Sequence, residues 1–135
     1  MAKSLKCKIK KLKIHRDERG WLVEMVKENE IKTRIKQVYV ATIEPGKIRG
    51  NHYHLKRREW FFIAKGEVKI FLEDIKTKKR KVLKVSSKTP KLITIFPKIA
   101  HAVKNTGKET AILVSAQDTV YDPKNPDTFQ YSICK

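Results

Sequence analysis

Gly46-Lys47-Ile48-Arg49-Gly50-Asn51-His52-Tyr53-His54, followed by residues 55–58, Glu59 and then Gly66, is the stretch that decides the fold. Successive side chains on a strand point to opposite faces, so His52 and His54, two apart, project from the same one. Glu59 lies an odd number of positions past His54 and would face away on one straight strand. A turn over residues 55–58 removes that conflict: Glu59 then opens the neighbouring strand and aims back at the histidines. Gly66 permits the next reversal, because a residue without a Cβ enters turn conformations at no steric cost. Downstream, Pro97-Lys98-Ile99-Ala100-His101 brings a third histidine behind a proline-fixed turn. Three imidazoles and a carboxylate form a donor set suited to Zn, Mn, Fe, Ni or Cu. His15, the remaining histidine, stands apart and reads as a surface residue.

The same period of two runs outward in both directions. Alternation across residues 5–14 is followed by expected strands over 21–26, 35–43, 60–64, 67–75, 81–85, 92–96, 101–104, 110–117 and 129–133. Pro45-Gly46, Lys65-Gly66, Asn105-Thr106-Gly107 and residues 122–126 punctuate them. Only residues 27–32 suggest a helix. Many short strands at regular spacing imply an all-β sandwich or barrel, and 135 residues make a single domain over 1–135. Trp21, Trp60, Phe61 and Phe62 read as its packing.

The chain carries 32 Lys+Arg against 14 Asp+Glu, a net charge of +18. In Lys8-Ile9-Lys10-Lys11-Leu12-Lys13-Ile14 and Arg80-Lys81-Val82-Leu83-Lys84-Val85 the basic residues alternate with apolar ones. That is the pattern of solvated strand faces, so nucleic acid is not an expected partner. Such a field also attracts a diphosphate-bearing small molecule. Cys7 and Cys134 read as free thiols of a reducing compartment. No apolar run is long enough for a membrane span, and no secretion-signal pattern opens the sequence, so a cytoplasmic protein is expected.

The spacing G-x5-H-x-H-x4-E-x6-G, met in full by Gly46, His52, His54, Glu59 and Gly66, resembles the first motif of the cupin superfamily. The second motif is met in part: His101 and Asn105 keep their spacing, while Phe96 and Lys98 stand where a proline and a glycine are expected. The resemblance implies a single-domain cupin, a jelly-roll β-barrel. Asp17-Glu18-Arg19-Gly20-Trp21 and Arg49-Gly50-Asn51-His52-Tyr53 look like segments of the dTDP-4-dehydrorhamnose 3,5-epimerases. The run through His54 and the tail from Tyr121 to Thr128 are closer to the C-terminal cupin domain of capsular-polysaccharide enzymes acting on UDP-2-acetamido-2,6-dideoxy-hexuloses. The R-G-x-H-x-H run is also similar to sugar 3,4-ketoisomerases.

These resemblances imply a nucleotide-sugar epimerase or isomerase acting on a 4-keto-6-deoxy hexose in cell-surface polysaccharide synthesis. The chemistry is removal of a proton beside the ketone and its return, with His52 as base, Tyr121 as acid and Arg49 as phosphate or enolate partner. A homodimer and a separate reductase are the implied protein partners. Two exclusive readings of the centre stand. Either His52, His54, Glu59 and His101 hold a divalent metal, with Zn the first choice, or the site is metal-free and the same residues do acid–base work. The rhamnose epimerases have Gln for His54 and Lys for Glu59, and their acidic partner of the histidine has no counterpart here, which favours the cage. The alternative functions are a metal cupin of other chemistry, such as an oxygenase, and a non-catalytic sugar- or metal-binding module working with the reductase.

Overall fold

The structure, a computed structural model, describes residues 5–135. Among these, strand is nearly the only regular element. In chain order they are β1 (Lys8–Lys11), β2 (His15–Asp17), β3 (Gly20–Leu22), the single-turn helix α1 (Glu28–Ile31), β4 (Gln37–Ile43), β5 (Ile48–Tyr53), β6 (Glu59–Lys65), β7 (Glu67–Asp74), β8 (Arg80–Ser86), β9 (Lys91–Ile95), β10 (Ile99–Asn105), β11 (Ala111–Gln117) and β12 (Phe129–Gln130).

Two five-stranded antiparallel sheets face each other as a jelly roll, ordered β1-β9-β6-β11-β4 and β12-β5-β10-β7-β8, and β2 pairs only with β3. Inward side chains of both sheets interdigitate, with Phe61, Ile63, Ile93 and Leu113 meeting Ile70, Leu72, Val85 and Val103. Each such side chain contributes about 1.5–3 kcal/mol through burial. A second apolar seam lies outside the first sheet, where Trp60, Leu92 and Ala116 are covered by Leu12, Met25, Val26, Ile31 and Ile35. Trp60 and Phe61 are therefore both buried, but on opposite faces of β6.

That seam explains where the elements depart from expectation. The strand expected over 21–26 ends at Leu22, since Met25 and Val26 leave the ladder to cover Trp60. Trp21 is a correction: it was expected to pack inside, yet it is 48% exposed on the β2–β3 hairpin. The strand expected over 129–133 is only two residues long, because Asn51 takes over the tail beyond it. Asn51, at φ +59°, accepts from the Ile133 and Cys134 amides on Oδ1 and donates through Nδ2 to Cys134 O.

Strand β10 is held between β5 and β7, which sets the site. Its bulge between His101 and Ala102 brings Gly50 against the backbone, where a Cβ would stand 2.7 Å from His101 O. Only glycine fits there, at φ +99°. Lys98 keeps φ +66° where the second motif expects glycine, and its amide bonds to His54 O at 2.7 Å. Asn105 is buried and ties three backbone groups, Ile43 O, Glu109 O and the Gly107 amide. Cys7 and Cys134 are free thiols. Among the described residues no helix is long and apolar enough to cross a membrane.

Candidate metal centre and its cavity

Between the sheets the four expected residues come together. His52 leaves β5 and pairs across the ladder with His101 of β10. His54 follows β5, the chain turns through residues 55–58, and Glu59 starts β6 pointing inward, as its spacing requires. One donor atom from each of His52, His54, Glu59 and His101 lies within 4.8 Å of the others. His54, Glu59 and His101 are buried, while His52 is half-buried.

The hydrogen bonds fix which nitrogens point at the centre. His54 Nδ1 bonds to the Asp127 carbonyl and His101 Nδ1 to the Ile99 carbonyl, the latter at 3.2 Å. A carbonyl only accepts, so each Nδ1 carries the proton and each Nε2 presents a lone pair. Both Nε2 atoms are buried without a hydrogen-bond partner. Yet Glu59 Oε1 lies 2.6 Å from His54 Nε2, outside hydrogen-bonding geometry, and 3.7 Å from His101 Nε2. Three electron-rich atoms facing one another in a dry pocket repel unless a cation stands among them. The donor set therefore fits a divalent metal: two neutral imidazoles and a carboxylate, each held from behind.

Burial raises the Glu59 carboxyl, but positive charge on its His54 and His101 side, together with the Ser115 hydroxyl, outweighs it and brings the group to about 2. With neutral imidazoles that positive charge has to come from a cation among the donors. Burial lowers His52, helped by His101 and His54, to about 4. Burial also lowers His101. Burial thus favours neutral His52 and His101 at neutral pH.

His52 and His101 form one wall of a cavity of about 230 Å³, with Tyr39, Arg49, Gly50 and Phe61 among the other lining residues. Burial, followed by the charge of Glu59, pushes the Tyr39 phenol up to about 12, so it keeps its proton. Arg49 Nε donates to Thr42 O at 2.8 Å, which holds the guanidinium against β4. Tyr121 lies beyond β11, 50% exposed, and does not line the cavity. His15 is exposed, as its isolation suggested.

Several site residues escaped the sequence reading. Tyr39, Ser115 and Gln117 face inward beside Glu59, and polar residues at inward positions of otherwise apolar strands were the available signal. Asp127 accepts the amides of Leu55, Lys56 and Arg57. Asp118 accepts that of Arg58, and Thr119 Oγ1 accepts from Arg57 Nε. The loop between β11 and β12 thus fastens the turn between His54 and Glu59.

Residues 15–129 match the polysaccharide biosynthesis C-terminal domain family. The chain is 28% identical over 120 residues to a UDP-2-acetamido-2,6-beta-L-arabino-hexul-4-ose reductase of Pseudomonas aeruginosa, covering 89% of this chain and 31% of that protein. It is 30% identical over 126 residues to the spore coat polysaccharide biosynthesis protein SpsL of Bacillus subtilis, covering 89% and 83%. The chain therefore spans about a third of the reductase but most of SpsL. The sugar 3,4-ketoisomerase QdtA of Thermoanaerobacterium thermosaccharolyticum, solved with TDP, superposes with a TM-score of 0.77 at 22% identity, over 92% of this chain and 87% of that one. That likeness establishes a shared fold.

Proposed function

The chain belongs to the polysaccharide biosynthesis C-terminal domain family, and on that premise we propose that it epimerises or isomerises a nucleotide-linked 4-keto-6-deoxy hexose. The observation that carries the reading is the cavity itself, in which His52, Tyr39 and Arg49 share one wall system with the orphaned Nε2 of His101. Proton transfer beside a ketone needs a base, an acid and a stabiliser of the enolate.

In this reading His54, Glu59 and His101 would hold a divalent metal, Zn by the chemistry of the donors. His52, the half-buried fourth member of the cluster, is assigned to proton transfer in place of the ligand role first expected for it. When bound, such an ion supplies Lewis-acid polarisation of a ketone oxygen. His52, neutral and at the cavity wall, takes the proton from the carbon beside the ketone. Tyr39, protonated and on the facing strand, returns one; it replaces Tyr121 in that role because it reaches the cavity. Arg49, exposed at the rim, meets the diphosphate. A reductase acting on the product, in the same chain or another, is the partner that the Pseudomonas aeruginosa relative suggests. A homodimer is proposed through the free edge of β4. With both thiols free, a cytoplasmic setting suits the protein.

Incubation in deuterium oxide with UDP- and dTDP-linked 4-keto-6-deoxy sugars tests the reading. Deuterium is expected to enter beside the ketone, about 10²- to 10⁴-fold more slowly in His52→Asn and Tyr39→Phe, with metal content retained and Tyr121→Phe near wild type. No incorporation into any such sugar would sink the enzyme reading. Loss of metal in His52→Asn would instead make His52 a ligand.

A further inference from the structure

Behind Glu59, on the inward face of the first sheet, runs a row of amides that the proposed chemistry leaves unused. Ser115 Oγ and Gln117 Nε2 both donate to Oε2 of Glu59, at 2.9 and 3.4 Å. Gln117 Oε1 accepts from Gln37 Nε2 at 3.0 Å, and Gln37 Oε1 accepts the backbone N–H of Tyr121 at 2.8 Å. Register sets Gln37, Gln117 and Glu59 directly opposite one another across β4, β11 and β6.

This chain has one direction. A backbone N–H only donates, which fixes the Gln37 amide with its oxygen toward Tyr121 and its nitrogen toward Gln117. Gln117 is fixed in turn, and its nitrogen is delivered to the carboxylate. Both donors fall on Oε2, so Oε1 remains the oxygen that faces His54 and His101. A carboxylate has a broad terminal torsion and would otherwise swing freely.

We infer that Gln117, itself held by Gln37, is a positioning residue that locks the Glu59 carboxylate so that Oε1 alone is offered to a divalent cation. The inference rests on the reading of His54, Glu59 and His101 as a metal cage. Partners that orient metal ligands in this way commonly change affinity 10- to 100-fold.

Zn²⁺ affinity, measured by competition with a chromophoric chelator after the protein is stripped of metal, tests it. Gln117→Met is expected to bind about 10- to 100-fold more weakly, and Gln37→Met more weakly by a smaller factor. The double variant should be no worse than Gln117→Met, because Gln37 acts only through Gln117. Melting temperatures of the metal-free proteins, taken alongside, identify a variant that has lost its fold. Should Gln117→Met fail to fold, the half-buried Gln37→Met carries the test with its own weakened affinity. Wild-type affinity in both variants, or additive losses in the double, overturns the positioning role while the cage stands. A wild-type protein that takes up neither Zn²⁺ nor Mn²⁺ overturns the cage and this role together.

Discussion

Asp127 accepts three backbone amides on its carboxylate, from Leu55, Lys56 and Arg57, and its own carbonyl accepts a hydrogen bond from His54 Nδ1. Burial would raise its carboxyl, but those three amides, with the imidazole of His54, outweigh burial and lower it. A carboxyl depressed in the folded state contributes stability that is fully present above its unfolded value of about 4 and is lost as pH falls through the folded value. Asp127→Asn is therefore expected to cost about 1 kcal/mol at pH 7, the half-exposed group being partly screened. Urea denaturation of the two proteins should differ at pH 7 and converge at the acid end. A constant difference across pH would assign the loss to shape rather than charge. His52, His54, Glu59 and His101 could be paired from spacing because their geometry is local to two strand ends. Asp127 could not, since its amide partners lie 70 to 72 positions away and only the folded chain brings them together. Lys98 misled differently: it holds a left-handed turn at φ +66° that its residue type does not advertise.

Strand β4 lies at the edge of the first sheet with Val38 and Val40 exposed, and the β2–β3 hairpin, carrying exposed Trp21 and Leu22, joins neither sheet. An open strand edge with apolar side chains is a template for pairing with another chain, and no bulge interrupts its ladder with β11. In the proposed homodimer a second copy covers this edge. Val40→Glu is then expected to shift the mass in analytical ultracentrifugation from dimer to monomer, with the melting of the isolated fold little changed. A wild-type monomer at all concentrations would refute the dimer. At this scale the alternation of apolar and polar residues was enough to find β1, β4 and β6 to β11, while β5 was placed by the spacing of His52 and His54. It missed β2 and overran β3 and β12, whose ladders are short because Met25 and Val26 leave for the outer seam and Asn51 takes over the tail. Trp21 shows the same limit, as an aromatic on an unpartnered hairpin looks like a core residue until the sheets are assembled.

Across the whole molecule a net charge of +18 acts in two opposite directions. Lysines and arginines on the outward faces of the sheets repel one another, which weakens the compact state, and the same field draws in anions. Both effects reach far at low salt and little beyond neighbours at moderate salt, since the screening length falls from about 30 Å at 0.01 M to about 8 Å at 0.15 M. Raising NaCl across that range is expected to lift the melting temperature while weakening the binding of a nucleotide diphosphate sugar, with on-rates falling by about tenfold or more. The buried Glu59 and the two orphaned Nε2 atoms lie inside the sheets, where screening by salt is small. Metal affinity should therefore not fall over the same titration, because salt screens the repulsion between the surface field and a dication while leaving the buried donors intact. This opposite response separates the centre from the diphosphate site. Stopped-flow binding of the diphosphate sugar and of the neutral sugar lacking it makes the comparison direct. An equal salt response for both ligands would remove the surface field from recognition and leave it to Arg49 and the cavity wall alone.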